Sequence, residues 1–164
     1  MTGGAAAGDG DAGLHATAII HGESGVLILG PSGSGKSTLA LALLSRASAA
    51  GAFGALIGDD RIYVRKADGR LVATGAKNMA GVIERRMAGL IAIRHEPTAV
   101  VRLAVEISER GRQWPRMPED DDGAIIAGVK LPRLTLDSSL SACDQALAVE
   151  ERLAVLASGN RNFA

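Results

Sequence analysis

A glycine-rich segment between two apolar stretches carries the strongest chemical signal in this sequence. Residues 25–38 read GVLILGPSGSGKST, in which Gly30 opens the pattern Gly-x-x-x-x-Gly-Lys-Ser. Glycines let backbone N–H groups converge on phosphate oxygens, because no Cβ stands in the way. Lys36 is expected to reach the outer phosphates of a nucleotide, and the Ser37 hydroxyl is expected to bind magnesium. The alternative is a Gly/Ser turn without a ligand.

The segments on either side of this loop have the composition that a phosphate site requires. GVLIL predicts a strand before the loop, and TLALALLSRA predicts a helix from Ser37 to about Ser48. Such a helix directs the positive end of its dipole at the phosphates. The residues expected to hold the nucleotide are Gly30, Pro31, Ser32, Gly33, Ser34, Gly35, Lys36, Ser37 and Thr38.

A pair of carboxylates forms the second chemical signal. Asp59 and Asp60 follow an apolar strand-like segment and precede Arg61. A carboxylate at the end of a strand that follows a phosphate loop is commonly placed beside magnesium. Adjacent side chains at a strand end point in different directions, so one carboxylate is expected to face the metal and the other the attacking hydroxyl. Taken alone, the pair also fits a solvated turn.

Other polar residues carry less information by themselves. His15 opens a predicted strand and Glu84 lies in a Glu-Arg-Arg run, and either residue alone is more typical of a structural or solvated position. Cys143 is the single cysteine, which excludes an internal disulfide and fits a reducing cytoplasm.

Composition limits the function classes. The 164 residues suffice for one domain, and 47% apolar content suffices for a core. Two per cent aromatic residues and a net charge of zero argue against a nucleic-acid partner. No apolar run approaches the roughly 20 residues of a membrane span, and the N-terminus lacks the features of a secretory signal. We therefore expect neither a nucleic-acid nor a membrane partner.

The remaining sequence predicts an α/β fold with a mixed sheet and flanking helices. Hairpin and strand signals are too frequent for a simple doubly wound sheet, and Asp68-Gly69 is a two-residue hairpin signal. The other expectations are a flexible tail over residues 1–13, one domain over 14–158, a tail over 159–164, a short helix over 78–89, a loop over 109–123 and a last helix near 139–157.

Taken together, the motifs resemble those of the HPr kinase/phosphorylase family. The resemblance is to its C-terminal catalytic domain and covers roughly residues 14–140. The segments that carry it are, in order, His15, GPSGSGKS, GDDRIYV, GVIERRMAGLIAI, PRMPE and LPRLTLD. The family implies a compact nucleotide-binding core like that of phosphoenolpyruvate carboxykinase.

The resemblance also implies an activity with ATP and Mg²⁺ as cofactors. The family phosphorylates a serine of the phosphocarrier protein HPr, in regulation of a phosphotransferase system, and many members catalyse the reverse phosphorolysis. The short form looks like that of bacteria that use such a system in regulation, and it leaves the formation of a homo-oligomer open. A small-molecule P-loop kinase and a nucleotide-sensing module without catalysis remain the alternatives.

Residue roles follow from the resemblance position by position. His15 is implied beside the transferred phosphate, and Arg116 is implied as a phosphate contact. One of Asp59 and Asp60 is implied as the general base and the other as the metal-side carboxylate, and the sequence does not decide between them. Asp60, with Ser37 and Glu84, is taken as the candidate magnesium set.

One departure from the family pattern concerns the reverse reaction. Where the family has Glu-x-Arg-Gly-x-Gly, the chain places Met87 at the first of the two glycines. A Cβ and a long side chain at that position are expected to prevent close approach of the backbone to the reacting phosphate. The sequence therefore predicts weak or absent phosphorolysis.

Overall fold

The fold is a mixed α/β arrangement, seen in a computed structural model that describes residues 11–109 and 123–159. Within those two ranges the elements are β1 (Ala12–Leu14), β2 (Ala16–His21), β3 (Ser24–Leu29), α1 (Lys36–Ala49), β4 (Gly54–Gly58), β5 (Ile62–Ala67), β6 (Arg70–Gly75), a 3-10 turn (Lys77–Met79), β7 (Val82–Arg85), β8 (Gly89–Ala92), β9 (Thr98–Ser108), β10 (Gly123–Ile126), β11 (Val129–Asp137) and α2 (Ala142–Gly159). The predicted helix after the phosphate loop is confirmed as α1.

Nine of these strands form one curled sheet. Its main order is β1-β5-β6-β9-β3-β2-β4, and β11 joins it at β9 with β10 beside β11. The pairs β3–β9 and β9–β11 are parallel, whereas the other pairs of this sheet are antiparallel. The predicted mixed sheet is confirmed. β9 is the central strand of this sheet, because it pairs with three others: β6 near the start of β9, β11 near its end, and β3 along its other edge.

Apolar side chains fill both faces of the sheet. On one face α1 and α2 cover a buried cluster that includes Val26, Ile28 and Val105. On the other face the curled strands bury a second cluster, which includes Leu27, Ile62 and Leu71. A strand buried on both faces reads as a continuous apolar run, which explains why GVLIL lacks alternation.

The predicted helix over residues 78–89 is wrong. The segment forms the 3-10 turn and then the hairpin β7–β8, which is a separate two-stranded sheet. Ile83 is fully buried in the helix-side core, and it pairs across the hairpin with Ile91, which packs against the same core. The tip turns through Met87, whose φ is 71°, and the turn closes with a hydrogen bond from Ala88 N–H to the Arg85 carbonyl. Core packing on one face of the hairpin thus outweighs helix propensity.

Other boundaries differ slightly from the sequence expectations. β1 begins at Ala12 and pairs with β5, so residues 12 and 13 belong to the sheet. The Asp68-Gly69 hairpin is confirmed, and both residues adopt positive φ as a two-residue turn requires. The last helix begins after Ser141, whose hydroxyl accepts the Asp144 N–H as an N-cap. Neither helix in the two described ranges is long and apolar enough to cross a membrane.

Candidate active site

The phosphate loop joins the end of β3 to the start of α1. Gly35 precedes the helix with a φ of 102°, and no side chain caps the first turn, so the first amide groups of α1 are available to an anion. A Cβ added at Gly30 would lie 2.8 Å from the Ile107 carbonyl oxygen and 2.7 Å from Ser34 Oγ. The loop can therefore take this path only with glycine at its first position.

Lys36 is held inside the loop. Its Nζ donates hydrogen bonds to the carbonyl oxygens of Gly30 (2.9 Å) and Pro31 (3.0 Å), and the residue is buried. Burial lowers the pKa of Lys36 from its ordinary value, whereas the charges of Asp59 and Asp60 act in the opposite direction. The loop thus holds the ammonium group through two of its own carbonyl oxygens.

Asp59 is buried and accepts hydrogen bonds from three residues. Thr17 Oγ1 lies 2.7 Å from its Oδ1, and the Ser37 hydroxyl lies 2.9 Å from Oδ1 and 3.0 Å from Oδ2. The backbone N–H of Glu84 donates to Oδ2 over 3.3 Å. Asp59, and not Asp60, therefore contacts the hydroxyl that the sequence assigns to magnesium.

A bulge between β2 and β4 determines which way Asp59 points. Ile19 pairs with Leu56, but the next pair is Ala18 with Gly58, so β4 contains one extra residue. A shift of one residue moves every later side chain of a strand to the other face of the sheet. Continued by one step, the shifted register brings Asp59 opposite Thr17, on the face that carries α1.

The side chain of Asp60 points toward His15 and not toward Ser37. Its φ of 69° ends the strand in a left-handed conformation, and its side chain is 79% exposed. Oδ1 of Asp60 lies 2.6 Å from Nε2 of His15, a residue that is also exposed. The two adjacent carboxylates diverge as predicted, although the left-handed backbone at Asp60 contributes to this as well as strand alternation.

These groups surround one cavity of about 430 Å³. Its lining residues are His15, Ser32, Gly33, Gly35, Lys36, Ser37, Thr38, Asp59, Asp60, Glu84 and Arg86. The structure thus brings together most of the residues that the sequence predicts for the site, with Glu84 contributed by the β7–β8 hairpin. Arg116 lies outside the described residues.

Sequence reasoning missed two residues of this site. Thr17 lies within the apolar run ATAII, where a single hydroxyl among buried neighbours needs a hydrogen-bond partner and is therefore a usable signal. Arg86 lines the cavity from the hairpin, a position that the helix predicted for this segment does not reveal.

The residues present fit a magnesium–nucleotide complex. Among residues 11–109 and 123–159, no group of three or more His, Cys, Asp or Glu side chains is arranged to hold a metal ion by itself. Magnesium commonly binds through one or two carboxylates together with phosphate oxygens and water. Ser37, Asp59 and Glu84, next to a loop suited to phosphate, provide such a partial set of ligands.

Met87 does not occupy the place that the resemblance to the family implies. Its side chain is fully exposed at the hairpin tip and contributes nothing to the lining of the cavity. The expectation that Met87 crowds the reacting phosphate is therefore wrong. Its position gives no steric reason for a restricted reverse reaction.

A second cavity shows that size alone does not identify the site. It measures about 530 Å³ and is lined by residues at the start of β3 and β9, including Ser24, Val101 and Arg102. β3 runs from Ser24 toward the phosphate loop, so this cavity lies at the opposite end of the strand. It contains none of the loop residues or carboxylates described above.

Comparisons with known proteins point to one family. The chain is similar to the HPr kinase/phosphorylase of Bacillus licheniformis, with 29% identity over 139 residues, which cover 75% of this chain and 43% of that protein. It is 28% identical over 132 residues to the HPr kinase/phosphorylase of Clostridium botulinum strain Eklund 17B, covering 75% of this chain and 41% of that protein. The chain thus spans less than half the length of these curated relatives.

A solved structure and a family model extend the comparison. The Hpr(Ser) kinase/phosphatase structure from Coxiella burnetii superposes with a TM-score of 0.73 at 22% identity, covering 92% of this chain and 99% of that chain, which shows a common fold. The model of the HPr Serine kinase C-terminal domain matches residues 11–150. Because that match includes most of the sequence, the chain belongs to the HPr serine kinase C-terminal domain family.

Proposed function

We propose that this domain transfers the terminal phosphoryl group of magnesium-bound ATP to a serine hydroxyl of the phosphocarrier protein HPr, in the cytoplasm, as part of the regulation of a phosphotransferase system. The observation that carries this proposal is the meeting of Lys36, Ser37, Asp59 and Asp60 in one cavity. Family membership and the names of the relatives support the choice of HPr as substrate.

Asp59 is the metal-side carboxylate in this proposal. Its contact with the Ser37 hydroxyl and its burial favour it over Asp60, the magnesium ligand that the sequence predicts. Glu84 is the second carboxylate at the metal, since it lines the same cavity. When bound, magnesium supplies neutralisation of phosphate charge, which is a large part of catalysis in phosphoryl transfer.

Asp60 is the general base. Its carboxylate lines the cavity and is exposed, so a serine of another protein can reach it. Asp60 accepts the proton of that serine, the serine oxygen bonds to the terminal phosphorus, and the bond to the ADP oxygen breaks. His15, 2.6 Å from Asp60 Oδ1, orients the carboxylate and lies beside the group in transfer.

Lys36 provides the fixed positive charge of the loop. Because it is buried and anchored by two carbonyl oxygens, its ammonium group needs little rearrangement to interact with charge on the phosphoryl group. Charges fixed in advance in a site that excludes water stabilise a transition state more strongly than mobile ones do.

An intact-mass experiment tests the proposal. The protein is incubated with ATP, Mg²⁺ and HPr, and the mass of HPr is measured, with an HPr variant that has alanine at the acceptor serine as the control. We expect wild-type HPr to gain one phosphate group and the control to gain none. ATP binding without a gain in mass would favour the nucleotide-sensing alternative and contradict the proposed function.

A further inference from the structure

Thr17 is a polar residue enclosed in the centre of the sheet. It is fully buried on β2, between β3 and β4. Its neighbours Ala16 and Ala18 belong to the second apolar cluster, so strand alternation directs the Thr17 side chain to the opposite face, which carries α1. A buried hydroxyl without a partner is costly, and this one donates its hydrogen bond to Oδ1 of Asp59.

We propose that Thr17 is a positioning residue that fixes the orientation of the Asp59 carboxylate toward the metal–nucleotide site. The inference rests on the proposed function in taking Asp59 as the metal-side carboxylate. It goes further by assigning a role to a residue that does not line the cavity.

The donors around Asp59 are not equivalent. The Ser37 hydroxyl lies at nearly equal distances from both carboxylate oxygens, 2.9 and 3.0 Å, so it does not select one rotation of the carboxylate. The Glu84 N–H is a longer contact at 3.3 Å. Thr17 contacts Oδ1 alone, at 2.7 Å, and therefore determines which oxygen is held inside the sheet.

The Thr17 side chain is itself held in a rigid part of the fold. A β-branched side chain on a strand has restricted χ1 freedom, and β2 is hydrogen-bonded on both sides. Asp59, in contrast, follows the last residue of β4 and precedes the left-handed Asp60. Because Asp59 lies at a strand end, a donor on the neighbouring strand is what transmits the order of the sheet to its carboxylate.

The test is a Mg²⁺ titration of ADP binding, measured by calorimetry. Thr17→Val keeps the shape of the side chain and removes the donor, whereas Thr17→Ser keeps the donor. We expect Thr17→Val to need roughly tenfold more Mg²⁺ for half-maximal binding, as for loss of a hydrogen bond to a charged group. Affinity for ADP in the presence of EDTA is expected to stay unchanged, and Thr17→Ser is expected to behave as wild type.

Thr135→Val is the matched control. The Thr135 hydroxyl is also buried, but it has no hydrogen-bond partner within the described residues, and it lies on β11 away from the cavity. Its replacement is expected to leave the Mg²⁺ requirement unchanged. Melting temperatures of all variants separate a general loss of stability from the specific effect.

A double variant tests whether Thr17 acts through Asp59. If Thr17 acts through Asp59, then Thr17→Val added to Asp59→Asn should raise the Mg²⁺ requirement no further than Asp59→Asn alone does. Additive effects would overturn the inference. So would a wild-type Mg²⁺ requirement in Thr17→Val, an equal defect in Thr17→Ser, or wild-type ADP binding that is indifferent to Mg²⁺. Because these measurements need no HPr, a failure to phosphorylate HPr counts against the proposed function alone.

Discussion

The two walls of the active-site cavity are built in different ways. The phosphate loop is fixed by the backbone, since β3 lies inside the large sheet, α1 begins directly after the loop, and Gly30 has no room for a Cβ. The β7–β8 hairpin is a separate two-stranded sheet, held mainly by Ile83 and Ile91 in the helix-side core. Its tip carries Met87, which is fully exposed.

This difference indicates a division between a rigid and a less stable wall. Two-stranded hairpins are marginally stable without packing, so the hairpin depends on its few buried side chains. Local opening of a protein begins where buried contacts are few. We therefore expect the loop to determine phosphate binding and the hairpin to tolerate change at its tip.

The largest effect is expected at the rigid wall. Lys36→Ala should lower the rate of HPr phosphorylation by about 100- to 1,000-fold, or about 3 to 4 kcal/mol of transition-state stabilisation. Steady-state kinetics measure this loss, and Lys66→Ala, at an exposed position near the end of β5, is the control. Near-normal turnover in Lys36→Ala would contradict the catalytic role of the loop.

The next effects in size should distinguish the roles of the two carboxylates. Asp60→Asn removes the base and is expected to lower turnover by about 100-fold with little change in nucleotide affinity. Asp59→Asn should instead raise the Mg²⁺ concentration needed for binding. Turnover at varied Mg²⁺, together with ADP binding, distinguishes the two effects. If both variants resemble wild type, the pair is a structural turn.

A smaller effect is expected at the hairpin tip. Met87→Gly should raise the free energy of unfolding by about 0.5 to 1 kcal/mol, because glycine adopts the positive φ without strain. Urea denaturation measures this change. Pyrophosphate release from serine-phosphorylated HPr with inorganic phosphate should be the same in Met87→Gly and wild type, since Met87 does not line the cavity. Faster release in the variant would restore the steric interpretation of Met87.

The smallest effect is expected for the ion pair between Arg46 of α1 and Glu150 of α2. The hydrogen bond from Arg46 on α1 lowers the pKa of Glu150 on α2. Burial acts in the opposite direction, whereas the charges of Arg46 and His21 lower the pKa further. A lowered carboxyl pKa stabilises the fold above the ordinary glutamate pKa, and this stabilisation is lost as the pH falls through the lowered value. The stability of wild type should therefore fall more steeply on acidification than that of Glu150→Gln.

Urea denaturation from neutral pH to about pH 3 measures this difference, since the range includes the ordinary glutamate pKa. Glu151→Gln, at an exposed position on the same helix, is the control and should retain the wild-type pH profile. Equal slopes in wild type and Glu150→Gln would show that the contact with Arg46 contributes nothing to folding.

The parts of the fold predicted from sequence are those that local pattern determines. The phosphate loop, α1 and the Asp68-Gly69 turn each depend on residues within one short segment. The β7–β8 hairpin does not, because the core that buries Ile83 is formed by distant residues, including those of α1. A single sequence does not contain that information in the segment itself.

The site shows the same limit at the level of single residues. The expectation that Asp59 and Asp60 diverge needs only a strand end. The assignment of Asp59 to the Ser37 side depends on the extra residue in β4, and the contact with Thr17 joins residues 42 positions apart. A bulge of one residue leaves no mark in the apolar pattern of the segment, so the facing of each carboxylate was not predictable.

The position of β9 in the sheet has a consequence for how the chain is made. β3, which leads into the phosphate loop, pairs on one side with β2, which precedes it in the sequence, and on the other with Val101–Glu106 of β9. During synthesis from the N-terminus, one apolar edge of β3 therefore has no native partner until β9 has left the ribosome. Such an unpaired edge is prone to association with other chains, and pairing between distant segments is slow. The nascent chain is thus most vulnerable to aggregation while β4 to β8 are being translated.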